Sequence, residues 1–294
     1  MREIIWSVCN GDSCLEVQGF VRSLRASGYS GEIIVWSEFD INGAESIPPN
    51  PGIEKDGRGM WKFEYLKKMN ELYPDALLAY FSPNHYVSHA LTASFTEIMN
   101  DEPALCFLES NAVSDLIRRN EWCGINTYQL YDVSRSFGNM SDTFFNLNAN
   151  HFFVKADYVN DFYQLIHEAA THLKKRDLKI NDELCLSLVL NTIAKNKESI
   201  NISANKNIYG IDIKGVFKDR LPDGTIWETE EWFTGRKMNV NPAIVLCPSG
   251  SSPLRNLGRT SLGSRIVAEG EKPVSKGCKG CQRSKPSNVT KQLE

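Results

Sequence analysis

Asp182 and Glu183 are adjacent carboxylates behind Asn181, at the head of the apolar stretch NDELCLSLVLNTIA, which reads as a helix. Acidic residues in a first helical turn complement the helix dipole. One of such a pair can also take a proton from a hydroxyl. Asp182 is the first candidate for that base and Glu183 the second. Two polar turns follow apolar runs: Cys9-Asn10-Gly11-Asp12, and Ser82-Pro83-Asn84-His85. In an open α/β sheet the ligand crevice lies at the carboxyl ends of the strands, where both turns would sit. His85 could bind a phosphate or carry a proton. Asp12 or Ser13 would equally serve as an ordinary helix cap. Cys278-Lys279-Gly280-Cys281 is a CxxC pair. A structural zinc site generally takes four ligands, so Cys278 and Cys281 could hold Zn²⁺ only with a second chain, or with Cys247 and water.

The elements that must position these residues alternate along the chain. EIIWSV (3–8), EIIVW (32–36), ALLAYF (76–81) and ALCFL (104–108) are short apolar runs bounded by turn residues, the pattern of strands buried on both faces. Leu15, Phe20, Val21 and Leu24 recur at helical spacing before a stop at Gly28, so the first two runs enclose a helix. Residues 41–59, rich in Gly, Pro and Asn, read as a long loop. Trp61, Tyr65, Leu66, Met69 and Leu72 mark a second helix. Further helices are expected over 88–99, 159–173 and 181–194, with HFFV (151–154) as a strand between them. Residues 136–150 read as irregular, and short strands and turns follow residue 205. The expected fold is α/β: a mostly parallel central sheet with flanking helices, spanning 1–247, and a flexible basic tail over 248–294.

The 294 residues are ample for a sizeable core, and 41% hydrophobic with 23% charged is ordinary globular composition. The net charge of -3 advertises neither nucleic acid nor membrane. The tail differs: Gly250 to Glu294 carries nine Lys/Arg against three Asp/Glu. Such charge runs are usually solvated, though they can also touch a phosphate backbone. No apolar run approaches a membrane span, and Ile4–Trp6 is too short for the core of a signal peptide. A reducing, cytoplasmic setting is expected, with the six isolated cysteines acting as small buried hydrophobes.

The order of these elements resembles the GT-A glycosyltransferases. A first strand ends in a small polar turn; a helix carries Lys62 early, in Met60-Trp61-Lys62-Phe63. PDALLAYF runs into a loop; Asn148-Ala149-Asn150-His151-Phe152-Phe153 follows much later; and Asn181-Asp182-Glu183-Leu184 opens a helix. The resemblance covers roughly residues 3–194. It implies a GT-A-like, Rossmann-related fold that takes a nucleotide-sugar donor. Cys9, Asn10 and Gly11 would touch the base and ribose, while Ser82, Asn84, His85 and Asn148 would line the donor crevice. The family carries Asp-x-Asp where this chain has Ser82-Pro83-Asn84, and many relatives add a late His; no His follows His172 here. Hard divalent cations want carboxylate oxygens, so a Mn²⁺- or Mg²⁺-bridged diphosphate is not expected. Arg58, Lys62, Arg236 and Lys237 are then the candidate counter-charges.

Two functions fit. The first is an enzyme moving a sugar from a nucleotide donor to a hydroxyl acceptor, with modified DNA as an acceptor if the basic tail is a guide. The second is a GT-A-like binding module that reaches a nucleic-acid or protein partner through the CxxC tail. Trp61 is expected in the core, whereas Trp227 and Trp232, in Trp-Glu-Thr-Glu-Glu-Trp, could line an acceptor groove.

Overall fold

A computed structural model describes residues 1–9, 13–53, 59–87, 90–91, 93–106, 108–110, 121–139, 144, 146–194, 209–211, 227–230, 237–240, 244–247, 255 and 282–283. Its centre is a six-stranded sheet. The strands are β1 (Arg2–Val8), β2 (Glu32–Trp36), β3 (Glu45–Ile47), β4 (Ala76–Phe81), β6 (Ala104–Leu105) and β7 (His151–Lys155), with β5 (His85–Val87) standing apart in a second, smaller sheet. The spatial order is β3-β2-β1-β4-β7-β6. From β3 to β4 every pairing is parallel. β7 enters antiparallel between β4 and β6.

All four expected strands thus join one sheet, because their continuous apolar side chains need cover on both faces. Of ALCFL only Ala104–Leu105 pairs there; Leu108–Ser110 turns away to pair with Asn146–Leu147. Glu45–Ile47 is a correction: part of the expected loop is a parallel edge strand. Its short polar stretch is stabilised by the partner's backbone rather than by its own apolar pattern.

Helices cover both faces. Against one lie α2 (Trp61–Leu72), α4 (Thr127–Phe137), α5 (Val159–Lys175) and α6 (Asp182–Ile193); against the other lie α1 (Cys14–Ala26) and the short α3 (Phe95–Met99). Trp6, Tyr80, Phe63 and Phe152 interlock on the first face, Phe20, Phe81, Phe95 and Phe153 on the second. α4 was not expected. Its signals are local: Asn126 and Gln129 form a reciprocal capping box, and Gly138, at φ 114°, ends the helix. α3 is shorter than the expected 88–99 helix. Ser94 caps it through a capping box with Glu97, which starts the helix at Phe95 rather than near residue 88.

β5 pairs antiparallel with β9 (Ile244–Leu246), which also pairs parallel with β8 (Tyr209–Ile211). At two described points the tail meets the body. Arg255 forms an ion pair with the buried Glu16 of α1, at 2.9 Å, and Gln282–Arg283 pairs antiparallel with Phe39–Asp40. Among the described residues no helix is long and apolar enough to cross a membrane.

Candidate functional site

The carboxyl end of the sheet gathers a buried charged cluster. Lys62 comes from the first turn of α2, and its ammonium group reaches across to α6, where it forms an ion pair with Asp182 Oδ2. The same Nζ donates to the Ala149 carbonyl, at 2.9 Å, just before β7. Only 7% of Lys62 is exposed. A lysine so enclosed needs acceptors for its N–H groups, and these two supply them. Its ammonium group also lies 5.8 Å from the Tyr80 ring centroid and 5.9 Å from that of Trp61, which adds favourable ring–cation contacts. The Tyr80 hydroxyl is buried with no hydrogen-bond partner among the described residues. Burial, and then the Asp182 charge, push its ionisation upward.

Asp182 is held from a second side. Gly59, at φ +74°, closes on its carboxylate so tightly that a Cβ there would stand 2.2 Å from Oδ2 and 2.8 Å from Oδ1. Only glycine combines that backbone conformation with that approach. Gly59→Ala is expected to cost about 2 kcal/mol through φ strain and displacement of Asp182. A urea midpoint within error of the parent would refute this packing.

Glu183, the next residue, has a different setting. Its Oε2 accepts a hydrogen bond from the Cys123 thiol at 3.6 Å, while Oε1 makes none among the described residues. Burial, followed by the neighbouring Asp182 charge, raises its pKa, and Lys62 and the Cys123 thiol pull the other way. A carboxyl held upward in this way takes a proton more readily than an ordinary glutamate. Asn181 positions both acids, since its side chain accepts from Leu184 N at 2.7 Å and sets the start of α6.

No known family matches this chain, and no curated protein matches it. Solved structures do. A crystal structure of an active-site mutant of LgtC is 14% identical, covers 90% of this chain and 95% of that one, and superposes with a TM-score of 0.52. The galactosyltransferase LgtC in complex with donor and acceptor sugar analogues is 13% identical over the same shares, at a TM-score of 0.50. The fold is GT-A-like. At this identity the likeness carries the fold alone.

Ser82-Pro83-Asn84, the turn after β4 that the sequence reading sets in place of a metal-binding pair of carboxylates, does not fit a divalent cation. Asn84 Oδ1 accepts from Ser82 Oγ at 2.7 Å, and Asn84 Nδ2 donates to the Cys247 carbonyl at 2.7 Å. The backbone closes the same tie, with Cys247 N on Asn84 O at 2.8 Å and Ser82 N on Asn150 O at 2.7 Å. Asn84 therefore joins the strand ends of β4 and β9. It has no charge with which to hold a hard cation.

His85 corrects the sequence reading. It is not a residue of an open polar turn but opens β5, fully buried against Phe20 and Phe81. Its Nδ1 lies 2.9 Å from the Ser82 carbonyl, and burial foremost holds its pKa down, to about 4. His151 lies 6.1 Å away, ring to ring, and is likewise held well below the ordinary histidine range. The Lys62 charge depresses both imidazoles further. Asn148 is also internal: Oδ1 accepts from Asn150 N and Nδ2, and its carbonyl accepts from the Cys106 thiol.

Lys62, Asp182 and the 148–151 segment are thus in direct contact, and Ser82, Asn84 and His85 join them through Asn150. Cys9 stands at the adjacent end of β1, its thiol 3.0 Å from Ser37 Oγ. Asn10, Gly11, Asp12, Arg58, Trp232, Arg236, Cys278 and Cys281 lie outside the described residues. Trp227 and Lys237 lie on the paired strands Trp227–Glu230 and Lys237–Val240. The sequence reading missed Gly59, Tyr80 and Cys123. Only the Gly at a loop-to-helix junction was a usable signal.

Proposed function

We propose that the chain is a glycosyltransferase that moves a sugar from a nucleotide-sugar donor to a hydroxyl acceptor without a divalent ion. The buried Lys62, held between Asp182 and Ala149 at the carboxyl end of a GT-A-like sheet, carries this reading. In it the bond from the anomeric carbon to the diphosphate oxygen breaks, and the electron pair leaves with the diphosphate. Lys62 supplies a fixed positive charge toward that leaving group. Asp182 orients the lysine rather than acting as the base. Glu183, whose Oε1 has no partner among the described residues, takes the acceptor proton as the new glycosidic bond forms. The +6 balance of the tail suits a nucleic-acid acceptor, and that part of the proposal rests on charge alone.

A second reading, a GT-A-like binding module without catalysis, is favoured by Asn84, whose side chain is committed to the tie with Cys247. Isothermal titration with a panel of nucleoside diphosphate sugars, with and without EDTA, separates the two. Binding and donor turnover unchanged by EDTA are expected. Activity that requires Mn²⁺ would overturn the metal-free reading. Failure of every nucleotide sugar to bind would replace the enzyme with the binding module.

A further inference from the structure

Glu183 is placed by a contact from outside its own helix. The thiol donor, Cys123, sits in a two-residue turn between Glu121–Trp122 and Ile125–Asn126, which pair antiparallel with Trp122 opposite Ile125. Both turn residues are left-handed, Cys123 at φ 52° and Gly124 at φ 80°. Hairpin turns of this kind favour Asn, Asp or Gly at the first position, where any other side chain is mildly strained. A half-buried cysteine is held there nonetheless, and its Sγ lies 3.6 Å from Glu183 Oε2.

We propose that Cys123 is a positioning residue for the glycosyl transfer argued above: its thiol holds Oε2 of Glu183, so that Oε1 is the oxygen presented to the acceptor hydroxyl. The inference rests on that reading of function, but its test does not depend on it. A carboxylate with one oxygen anchored loses rotational freedom about its last bond, so the free oxygen keeps one direction. The turn is bracketed by the pairs Trp122–Ile125 and Glu121–Asn126, which set where the thiol starts. The groups that face Glu183 are Asp182 on its own helix, Lys62 from α2 and Cys123 from the hairpin. Of these, Cys123 alone is a hydrogen-bond donor to Glu183, and it favours the ionised form.

The experiment compares Cys123→Ala and Cys123→Ser with the parent in the full chain. Titration of the Glu183 carboxyl is followed by carbon-detected NMR without donor, with Glu183→Gln identifying the signal. Loss of the donor in Cys123→Ala is expected to move the titration upward, and Cys123→Ser, which keeps a donor, is expected to restore it. With a turned-over donor, Cys123→Ala is expected to lose roughly fivefold in kcat at unchanged donor KM, as for one neutral hydrogen bond. An unmoved titration in a folded Cys123→Ala, or a serine variant that behaves like alanine, would overturn the positioning role. Should no nucleotide sugar react, the function reading falls, and the titration alone still decides the contact.

Discussion

Replacing Lys62 with methionine is expected to cost about 3–5 kcal/mol of stability, because it leaves Asp182 as a buried charge without its cation. The side chains of the pair are 9% and 15% exposed, so water offers the stranded carboxylate little relief. Asp182→Asn is expected to cost somewhat less, since the amide oxygen still accepts from Nζ. The double variant Lys62→Met with Asp182→Leu removes both charges and should recover much of the loss, a coupling that a double-mutant cycle in urea measures directly. A sum of the single effects in the double variant would show that the two groups act separately. Donor binding, if the proposed function holds, gives a second arm. Lys62→Arg keeps the charge but not the shape of the site, and a loss of at least tenfold in affinity is expected in the folded variant. An arginine variant that binds donor like the parent would show that Lys62 has no direct part in binding.

Acid is expected to unfold this protein through its buried imidazoles. An unfolded histidine titrates at about 6.5, whereas His85 in the folded chain titrates at about 4 and His151 well below the ordinary value. Below 6.5 the unfolded chain therefore binds protons that the folded chain refuses, and stability falls as the pH falls. The full contribution is present above 6.5. The His85 share is lost between 6.5 and about 4, roughly 3 kcal/mol for such a separation. His151 adds a loss in the same direction. Denaturant midpoints at pH 7.5 and 4.5 measure the slope. His85→Phe should be less stable than the parent at pH 7.5, having lost the bond to Ser82, yet should lose less on going to pH 4.5. An equal acid loss in both proteins would show that the folded His85 takes up its proton as readily as the unfolded one.

The structural consequence of such protonation is local. His85 opens β5, which pairs with β9, and Ser82 and Asn84 tie the same corner to Asn150 and Cys247. A charge forced into that corner would loosen both ties. It would also repel Lys62, whose charge already reaches both histidines. On the proposed function, donor binding should therefore be lost before global unfolding, at a pH where far-ultraviolet circular dichroism is unchanged.

The amino-acid sequence by itself determined the layered architecture. Runs such as EIIWSV and ALLAYF are apolar on both faces, and only a sheet covered on both sides buries them. It also determined where α6 starts, because Asn181 is a cap that acts over three residues. The same kind of short-range signal, Asn126 with Gln129 and Gly138, was present for α4 and passed unread among polar neighbours. Strand direction was decided only in three dimensions. HFFVK has the apolar run of a buried strand, but nothing in that pattern distinguishes its antiparallel insertion between β4 and β6 from a parallel one. The chemistry of the site was likewise decided by contacts between distant residues. Lys62 and Asp182 are 120 positions apart, and local pattern cannot show that they neutralise one another. Asp182 was legible as an acid at a helix start, but not as a residue closed in by Gly59 and held by a lysine. Asn84 was legible as a missing carboxylate, but not as a tie to Cys247. Burial, which turns His85 from a residue of a polar turn into a neutral core imidazole, follows from what packs around it: Phe20, Phe81 and His151 on other elements.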